Sequence, residues 1–461
     1  MKNIILPEKY TSIINKITLT AEKNNFEVYI VGGFVRDLFL HRQPTDLDIM
    51  VCYKDKIENG QFAGINFSKI LAKEYNLHAP VIFERFGTSK LFIDNEEVEF
   101  VMPRKEYYKD NSRNPDTDIG SLEQDALRRD FTVNALFLSL SSKTILDFTS
   151  NGIKDIKNKT LRVTDSNNSD VIFKEDPLRI LRAVRQSLQL GFTIETGTYT
   201  AMKSAVKRIN IVSPERIRNE LNKIIIERTP SRAFFMMDDI GLLEIILPEF
   251  SKLKNLKQPI QYHIDDVFTH SLKVLDRTKN NLILRMAALL HDIGKFETYK
   301  KENDKISFIG HEAESAKAAE AILKRLKYPK NFTAEVCSII KNHMYPKMYT
   351  DKWSDSAVRK FVKRCSNQLD LITEISKADF GRINDKSKLD ALIARIKNLE
   401  SRNMLYPKEK MFSGKELMKI FNKPGGPWIK TAKNKIEELQ MKNPCITKNE
   451  IIKAVHKLKI F

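Results

Sequence analysis

Cysteine is scarce in this chain. Its 461 residues contain four, Cys52, Cys337, Cys365 and Cys445, and no two stand in a C-x-x-C spacing, which excludes a disulfide scaffold and a zinc ribbon. Also missing is any run of about 18 apolar residues, so no membrane-spanning helix is expected. The opening MKNIILPEKYTSII lacks the basic-then-apolar order of a secretory leader, and a cytoplasmic location is the expectation. There is no internal repeat and no low-complexity tract. Acidic residues fall short as well: 59 Asp and Glu face 78 Lys and Arg, a net charge of +19. With 42% hydrophobic residues the chain has the apolar material for folded cores, and its length suits about three domains.

The charge is unevenly spread, at −3 over residues 1–150, +6 over 151–230, +7 over 231–400 and +9 over 401–461. A positive field over the later segments suits a polyanion such as nucleic acid. Short β-type runs at 28–31, 46–51, 81–86, 90–93, 97–102, 135–140 and 144–148 alternate with helical periodicity at 34–40, 66–76 and 121–129. From about Phe173 the pattern is helical almost throughout, with seams at 164–170, 248–259 and 403–413. The expected fold is an α+β head over 1–150 followed by an all-α neck (151–230), body (231–400) and tail (401–461).

Residues 28–50 read VYIVGGFVRDLFLHRQPTDLDIM. Glycine lets backbone approach a phosphate closely, and a helix starting near Phe34 directs its N-terminal N–H groups at an anion bound at Gly32 and Gly33. Asp46 and Asp48, two apart in a strand-like run, face the same way and can share divalent cations with a triphosphate. GGFVRD followed by TDLD resembles the nucleotidyltransferases of the DNA polymerase β superfamily, specifically the class II tRNA nucleotidyltransferases (CCA-adding enzymes) and the bacterial poly(A) polymerases. EVEFVMPRKEYY, LEQDALRRDFTVNAL, FKEDPLRILRAVR and SPERIRNELNKII follow in the order that resemblance demands, so it covers about the first 230 residues.

The resemblance implies a polymerase β-like mixed sheet in the head, catalytic Mg2+ on Asp46 and Asp48, and triphosphate contacts from Gly33 and Arg36. It places the third carboxylate at Glu99, with Glu96 and Glu97 close enough that one sequence leaves the register open. It also assigns Arg129, Asp130 and Asn134 to the sugar and phosphates of the nucleotide. Asp176 and Arg179, three apart on an expected helix, offer an acceptor beside a donor. That pair complements the pairing edges of cytosine and adenine and repels those of uracil and guanine, and the implied role of the motif is the same. Asp176-Pro177 is equally a good helix start. Arg182 and Arg185 extend the face towards phosphates, and Gln186 stands where the family usually carries an aromatic residue.

A second set, His270, His291, Asp292, His311, His343 and Asp379, resembles the HD superfamily of metal-dependent phosphohydrolases, most specifically in HDIGK. These residue types suit a first-row divalent metal, and the resemblance implies chemistry on phosphomonoesters or cyclic phosphodiesters. Lys295 is expected to be solvated or in contact with phosphate, and Trp428 to be buried in the tail. The joint expectation is an enzyme that adds C, C and A to tRNA from CTP and ATP. A CC-adding or A-adding specialist or a poly(A) polymerase is the alternative, and an HD phosphohydrolase the rival from another class. The loop 107–120 is where specialists are expected to differ.

Overall fold

The computed structural model describes residues 6–54, 62–107, 116–165, 169–259, 265–303, 305–380, 383–405 and 411–456. Most of the loop 107–120 therefore lies outside the described residues, as do parts of the seams at 164–170 and 403–413. The chain divides into two compact units, Met1–Ile246 and Leu247–Phe461.

The first unit opens with α1 (Glu8–Lys23), β1 (Phe26–Val31), α2 (Gly33–Phe39), β2 (Leu47–Tyr53), α3 (Ala63–Glu74), β3 (Val81–Phe83), β4 (Thr88–Ile93) and β5 (Glu96–Val101). A hairpin of β6 (Arg104–Tyr107) and β7 (Asp116–Ile119) follows, then α4 (Leu122–Leu127), β8 (Leu136–Ser139) and β9 (Ile145–Asp147). Seven of these strands form one sheet in the order β3-β4-β5-β2-β1-β8-β9, with β2 and β5 parallel and the other neighbours antiparallel. The strand alternation divides the sheet into two faces. Phe26, Ile30, Ile49, Val98 and Phe100 line one, which α1 and α3 cover, with the Phe67 ring between those of Phe26 and Phe100 at 5.3 and 5.5 Å. Tyr29, Val31, Met50 and Phe137 line the middle of the other, packed against Ala126 and Ala135.

Helix α1 is absent from the sequence-based expectation, although Tyr10, Ile13, Ile14, Ile17 and Ala21 recur at helical spacing and are buried. The strand expected over 81–86 stops at Phe83, because Glu84–Phe86 turn into a 3-10 segment closed by Gly87 at φ +61°. After α5 (Gly152–Asn158), α6 (Ser169–Glu175) and α7 (Leu178–Leu190), helices continue through Pro214–Ile225 and Ser231–Asp239.

The second unit is built on helices Val267–Arg277, Leu282–Leu290, His311–Arg325, Lys330–Asn342, Asp355–Cys365 and Leu369–Asp379. The body is not wholly helical: Lys300–Glu302 and Lys305–Ser307 pair as a small hairpin, with Asn303 at φ +47° beside the turn. Arg359 donates to the carbonyls of Met441 and Lys442, at the end of helix Trp428–Lys442, and to that of Met404, in the turn after helix Ile383–Ser401. Trp428 is half-buried rather than buried; its indole N–H donates to the Pro424 carbonyl at 2.8 Å and its ring meets Phe421 edge-on. Among the described residues no helix is long and apolar enough to cross a membrane.

Candidate functional site

Asp48 lies on β2 directly beside Glu99 of the parallel neighbour β5, and Glu99 lies opposite Lys90 of β4. This register sets the three glutamates apart by position. Glu96 points to the other face and pairs with Lys9, and Glu97 pairs with Lys90 at 2.5 Å, which leaves Glu99 as the residue level with Asp48. Asp46 is one residue short of the strand, not within it, yet close enough to act on Asp48. Burial and the charges of Glu99 and Asp46 raise the Asp48 carboxyl to about 6, with Arg129 and Lys90 only partly countering them. Carboxylates crowded until one resists ionising form a site short of positive charge.

Gly32 adopts φ +77°, a left-handed conformation that favours glycine, and a side chain there would meet the Arg129 guanidinium at 3.3 Å and Asp48 Oδ2 at 3.8 Å. At Gly33 an added Cβ would lie 3.3 Å from the Arg36 guanidinium. Arg36 is held by a two-pronged pair with Asp37 and donates to Asn134 Oδ1 at 2.7 Å. Arg129 is anchored on buried Asp125, which also takes Arg128. Asp125 was not among the sequence candidates, although the D-x-x-R-R spacing, i to i+3 and i+4 on a helix, is the signal for it.

A buried polar network joins this region to α7. Asn134 donates from Nδ2 to Asp130 and to Gln186, at 2.9 Å each, and Gln186 donates back to Asp130 at 3.3 Å. Arg182 closes on Asp130 Oδ2 with Nε at 2.9 Å and Nη2 at 2.6 Å. Burial opposes the charge on Asp130, but Arg182 and the Asn134 hydrogen bond more than offset it and hold its carboxyl down at about 2. Gln186 thus bridges two candidate nucleotide-binding residues through hydrogen bonds that an aromatic ring cannot make.

The Asp176 and Arg179 pair differs from the expected single helical face. Asp176 sits in the break between α6 and α7, because Pro177 has no N–H to continue the first helix. One of its oxygens accepts from the Leu178 N–H at 3.2 Å, and the other faces Arg216 at 3.2 Å. Arg179 is buried and donates to the carbonyls of Arg128 and Ile172 at 2.6 and 3.3 Å. Arg182 and Arg185, expected to reach phosphates, are engaged with Asp130 and with Glu220 at 2.6 Å.

In the second unit all six residues of the His and Asp set converge. His270, His291 and Asp292 form one group whose ligand atoms lie within 4.8 Å of one another, and His291, His343 and Asp379, and Asp292, His311 and His343, form two more. His291, His311 and His343 each direct Nδ1 at the carbonyl three residues earlier, at 2.8, 2.9 and 2.6 Å. A carbonyl only accepts, so each Nδ1 carries a hydrogen, and in the neutral ring it is Nε2 that presents a lone pair to the centre. Those three Nε2 atoms are buried without a hydrogen-bond partner, facing the Asp292 and Asp379 carboxylates. Burial works against charge on His291, but the two carboxylates prevail and lift it to about 9, so a metal ion taking its Nε2 displaces a proton there, whereas burial and His291 push His343 down to about 3. Lone pairs and carboxylates aimed at one buried point fit a divalent metal ion.

Two lysines complete the second centre. Lys295 is buried rather than solvated, with Nζ at 2.7 Å from both Asp292 Oδ2 and Gln258 Oε1. Lys347 was missed in the sequence; it reaches Asp379 Oδ2 at 2.5 Å, and only its position four residues after His343 hints at it.

Three protein families match successive segments of the chain. The Poly A polymerase head domain family matches residues 28–162, the family described as a probable RNA and SrmB- binding site of polymerase A matches 191–253, and the HD domain family matches 261–388. The A-adding tRNA nucleotidyltransferase of Deinococcus radiodurans is 31% identical over 332 residues, 67% of this chain and 73% of the relative. The chain belongs to the tRNA nucleotidyltransferase family. Another member, the multifunctional CCA protein of Pseudoalteromonas atlantica, is 30% identical over 74% of this chain and 80% of its own. The fold agrees with that of the Bacillus stearothermophilus CCA-adding enzyme in complex with CTP, at TM-score 0.70 and 20% identity, with 98% of each chain covered. Within the tRNA nucleotidyltransferase family the two expected constellations therefore fall inside the matched head and HD segments.

Two predictions follow from these contacts. The Asp130 carboxyl titrates lower folded than unfolded, so its contribution is present above about pH 4 and disappears as the pH falls towards 2. Asp130→Asn is expected to cost about 2 kcal/mol at pH 6 and almost nothing near pH 2; urea unfolding at several pH values measures this, and a pH-independent deficit refutes it. For the second centre, elemental analysis after equilibration with Mn2+ or Ni2+ and gel filtration is expected to find about one bound ion per chain, lost in the His291→Ala/His343→Ala double variant. Equal metal content in the two proteins refutes the assignment.

Proposed function

We propose that the chain is a template-independent nucleotidyltransferase that adds C, C and A to the 3′ end of tRNA from CTP and ATP. The observation that carries this reading is the level register of Asp48 and Glu99, with Asp46 beside them, on the open part of a sheet face next to a glycine turn. When bound there, divalent cations, Mg2+ on this reading, neutralise the triphosphate and the departing pyrophosphate. Gly32 and Gly33 leave backbone space for phosphate oxygens, and Arg36 and Arg129 stand beside them as preorganised cations. Asp130, Asn134 and Gln186 form the polar floor for the sugar, fixed by Arg182. Asp176 and Arg179 read the base edge, and an incoming C or A replaces their present partners Arg216 and the Arg128 carbonyl. Arg185, paired with Glu220, is the remaining cation assigned to the nucleotide.

On this reading residues 1–150 are the catalytic head, 151–230 a neck carrying base recognition, 231–400 the HD domain and 401–461 a basic tail that binds tRNA. The HD centre, with a second divalent metal on His270, His291, Asp292, His311, His343 and Asp379, adds a phosphohydrolase activity on RNA ends or nucleotides. The cytoplasm is the location that goes with this substrate. A second reading, addition of the terminal A alone, is favoured by the name of the Deinococcus radiodurans relative.

Incubation with tRNA ending at the discriminator base, and separately with tRNA ending in CC, followed by sequencing of the product, decides between them. CCA addition extends both; an A-adding enzyme extends only the second. Asp46→Ala and Asp48→Ala are each expected to lower incorporation by ~10³-fold or more with tRNA binding in a filter assay retained, and persisting activity refutes the site. Asp176→Ala is expected to relax rejection of UTP and GTP by roughly 5- to 150-fold in relative kcat/KM, and unchanged selectivity refutes the base-reading role.

A further inference from the structure

The sheet order fixes the side from which the acceptor strand approaches. On the nucleotidyl-transfer reading, the triphosphate and its leaving pyrophosphate lie towards Gly32 and Gly33, at the end of β1. In-line displacement puts the attacking hydroxyl on the opposite side of the reacting phosphorus. In this sheet that is the side of β5, where Glu99 stands, and the strands beyond it are β4 and then β3.

The same face continues across those strands. Glu99 lies opposite Lys90, and Lys90 opposite Val81, so Phe92 on β4 and Phe83 on β3 share the face with the carboxylates. Where the middle of this face is covered, its end is open. Phe92 is 57% exposed, Val81 55% and Phe83 41%, and Phe86, in the turn that follows, is 49% exposed. Phe92 stands one strand spacing and Phe83 two strand spacings from the strand of Glu99, ~5 and ~10 Å, on either side of Lys90 along β4. Cations border it: the Arg85 guanidinium lies 5.8 Å from the Phe86 ring centre, and Arg104 donates to the Phe86 carbonyl at 3.4 Å. The acidic neighbour of Phe92 is Glu97, and Lys90 pairs with it at 2.5 Å.

We propose that Phe83, Phe92 and Phe86 form a stacking platform for the unpaired bases of the RNA acceptor strand, just upstream of the hydroxyl presented to Asp46, Asp48 and Glu99. Exposed rings interleaved with cations match the flat faces of unstacked bases and the phosphates between them, without dependence on base identity. That tolerance suits an end that lengthens with each addition while its last hydroxyl returns to the same carboxylates. A protein strand adding to the sheet edge suits the site less well, because β3 is three residues long and Pro80 immediately precedes it.

The inference rests on the nucleotidyl-transfer reading, and the test separates the two. A tRNA transcript lacking CCA carries 2-aminopurine at its unpaired 3′ position and is given to the wild type, to Phe83→Ala/Phe92→Ala and to Phe83→Tyr/Phe92→Tyr. The wild type is expected to quench the probe. The alanine variant is expected to lose the quenching and to raise the KM for tRNA by about ten-fold per ring, with the KM for CTP unchanged, and the tyrosine variant to restore both. A wild type that extends tRNA but leaves the probe unquenched overturns the platform, whether or not the alanine variant folds. So does an alanine variant with unchanged tRNA KM, including one whose only change is in oligomeric state. A wild type that extends no tRNA overturns the underlying reading instead.

Discussion

Asp46, Asp48 and Glu99 carry like charge and repel one another, and the backbone pairing of β2 with β5 keeps them together. Burial, together with that repulsion, holds the Asp48 carboxyl up at about 6. Other features of the head follow from that constraint. The opposite face of the sheet is filled by Phe26, Phe67, Phe100 and the α1 isoleucines, and Gly32 is glycine because its φ of +77° disfavours a side chain, with the Arg129 guanidinium close against the space a Cβ would take. Arg129 can stand near the site only because Asp125, fully buried, fixes its other end.

The second unit meets the same difficulty differently. Its negative charges, Asp292 and Asp379, are buried and each is answered by a lysine as well as by histidines. The carboxylate of Asp292 is held far below the ordinary range against its burial, chiefly by His291 and Lys295. Histidine tautomers fixed by carbonyls of their own chain segments make the centre a preorganised receptor rather than a loose cluster. One unit gathers charge at an open face and the other in a closed interior, which suits a large moving substrate in the first case and a small reacting group in the second.

Much of this was legible in the residues. The GG turn, the Asp46 and Asp48 spacing and the HDIGK motif are short-range signals, and the structure places each at a site, with the more distant histidines and Asp379 gathered around the last. The register that selects Glu99 over Glu96 and Glu97 was not, because a strand's pairing depends on a partner some fifty positions away. Arg216, Glu220, Gln258 and Lys347 were missed for the same reason: an ion pair or hydrogen bond across the fold leaves no periodic trace. Helix α1 was a different kind of omission, since its apolar spacing was there to be read. The Asp176 break was also legible, since Asp176-Pro177 reads as a helix start, and the structure ends one helix before the proline and begins the next after it.

The parallel pairing of β2 with β5 has a consequence for how the protein comes into being. Antiparallel neighbours such as β4 and β5 meet through a tight turn, but β2 and β5 can pair only after the chain between them has gone out through α3, β3 and β4 and returned. Contacts of such separation form late, since loop closure must precede their reward. Here the last approach also forces carboxylates together. The pairing that seats Val98 and Phe100 in the core is the one that brings Glu99 level with Asp48, so a nascent chain completes the core of its head and its set of carboxylates in the same step.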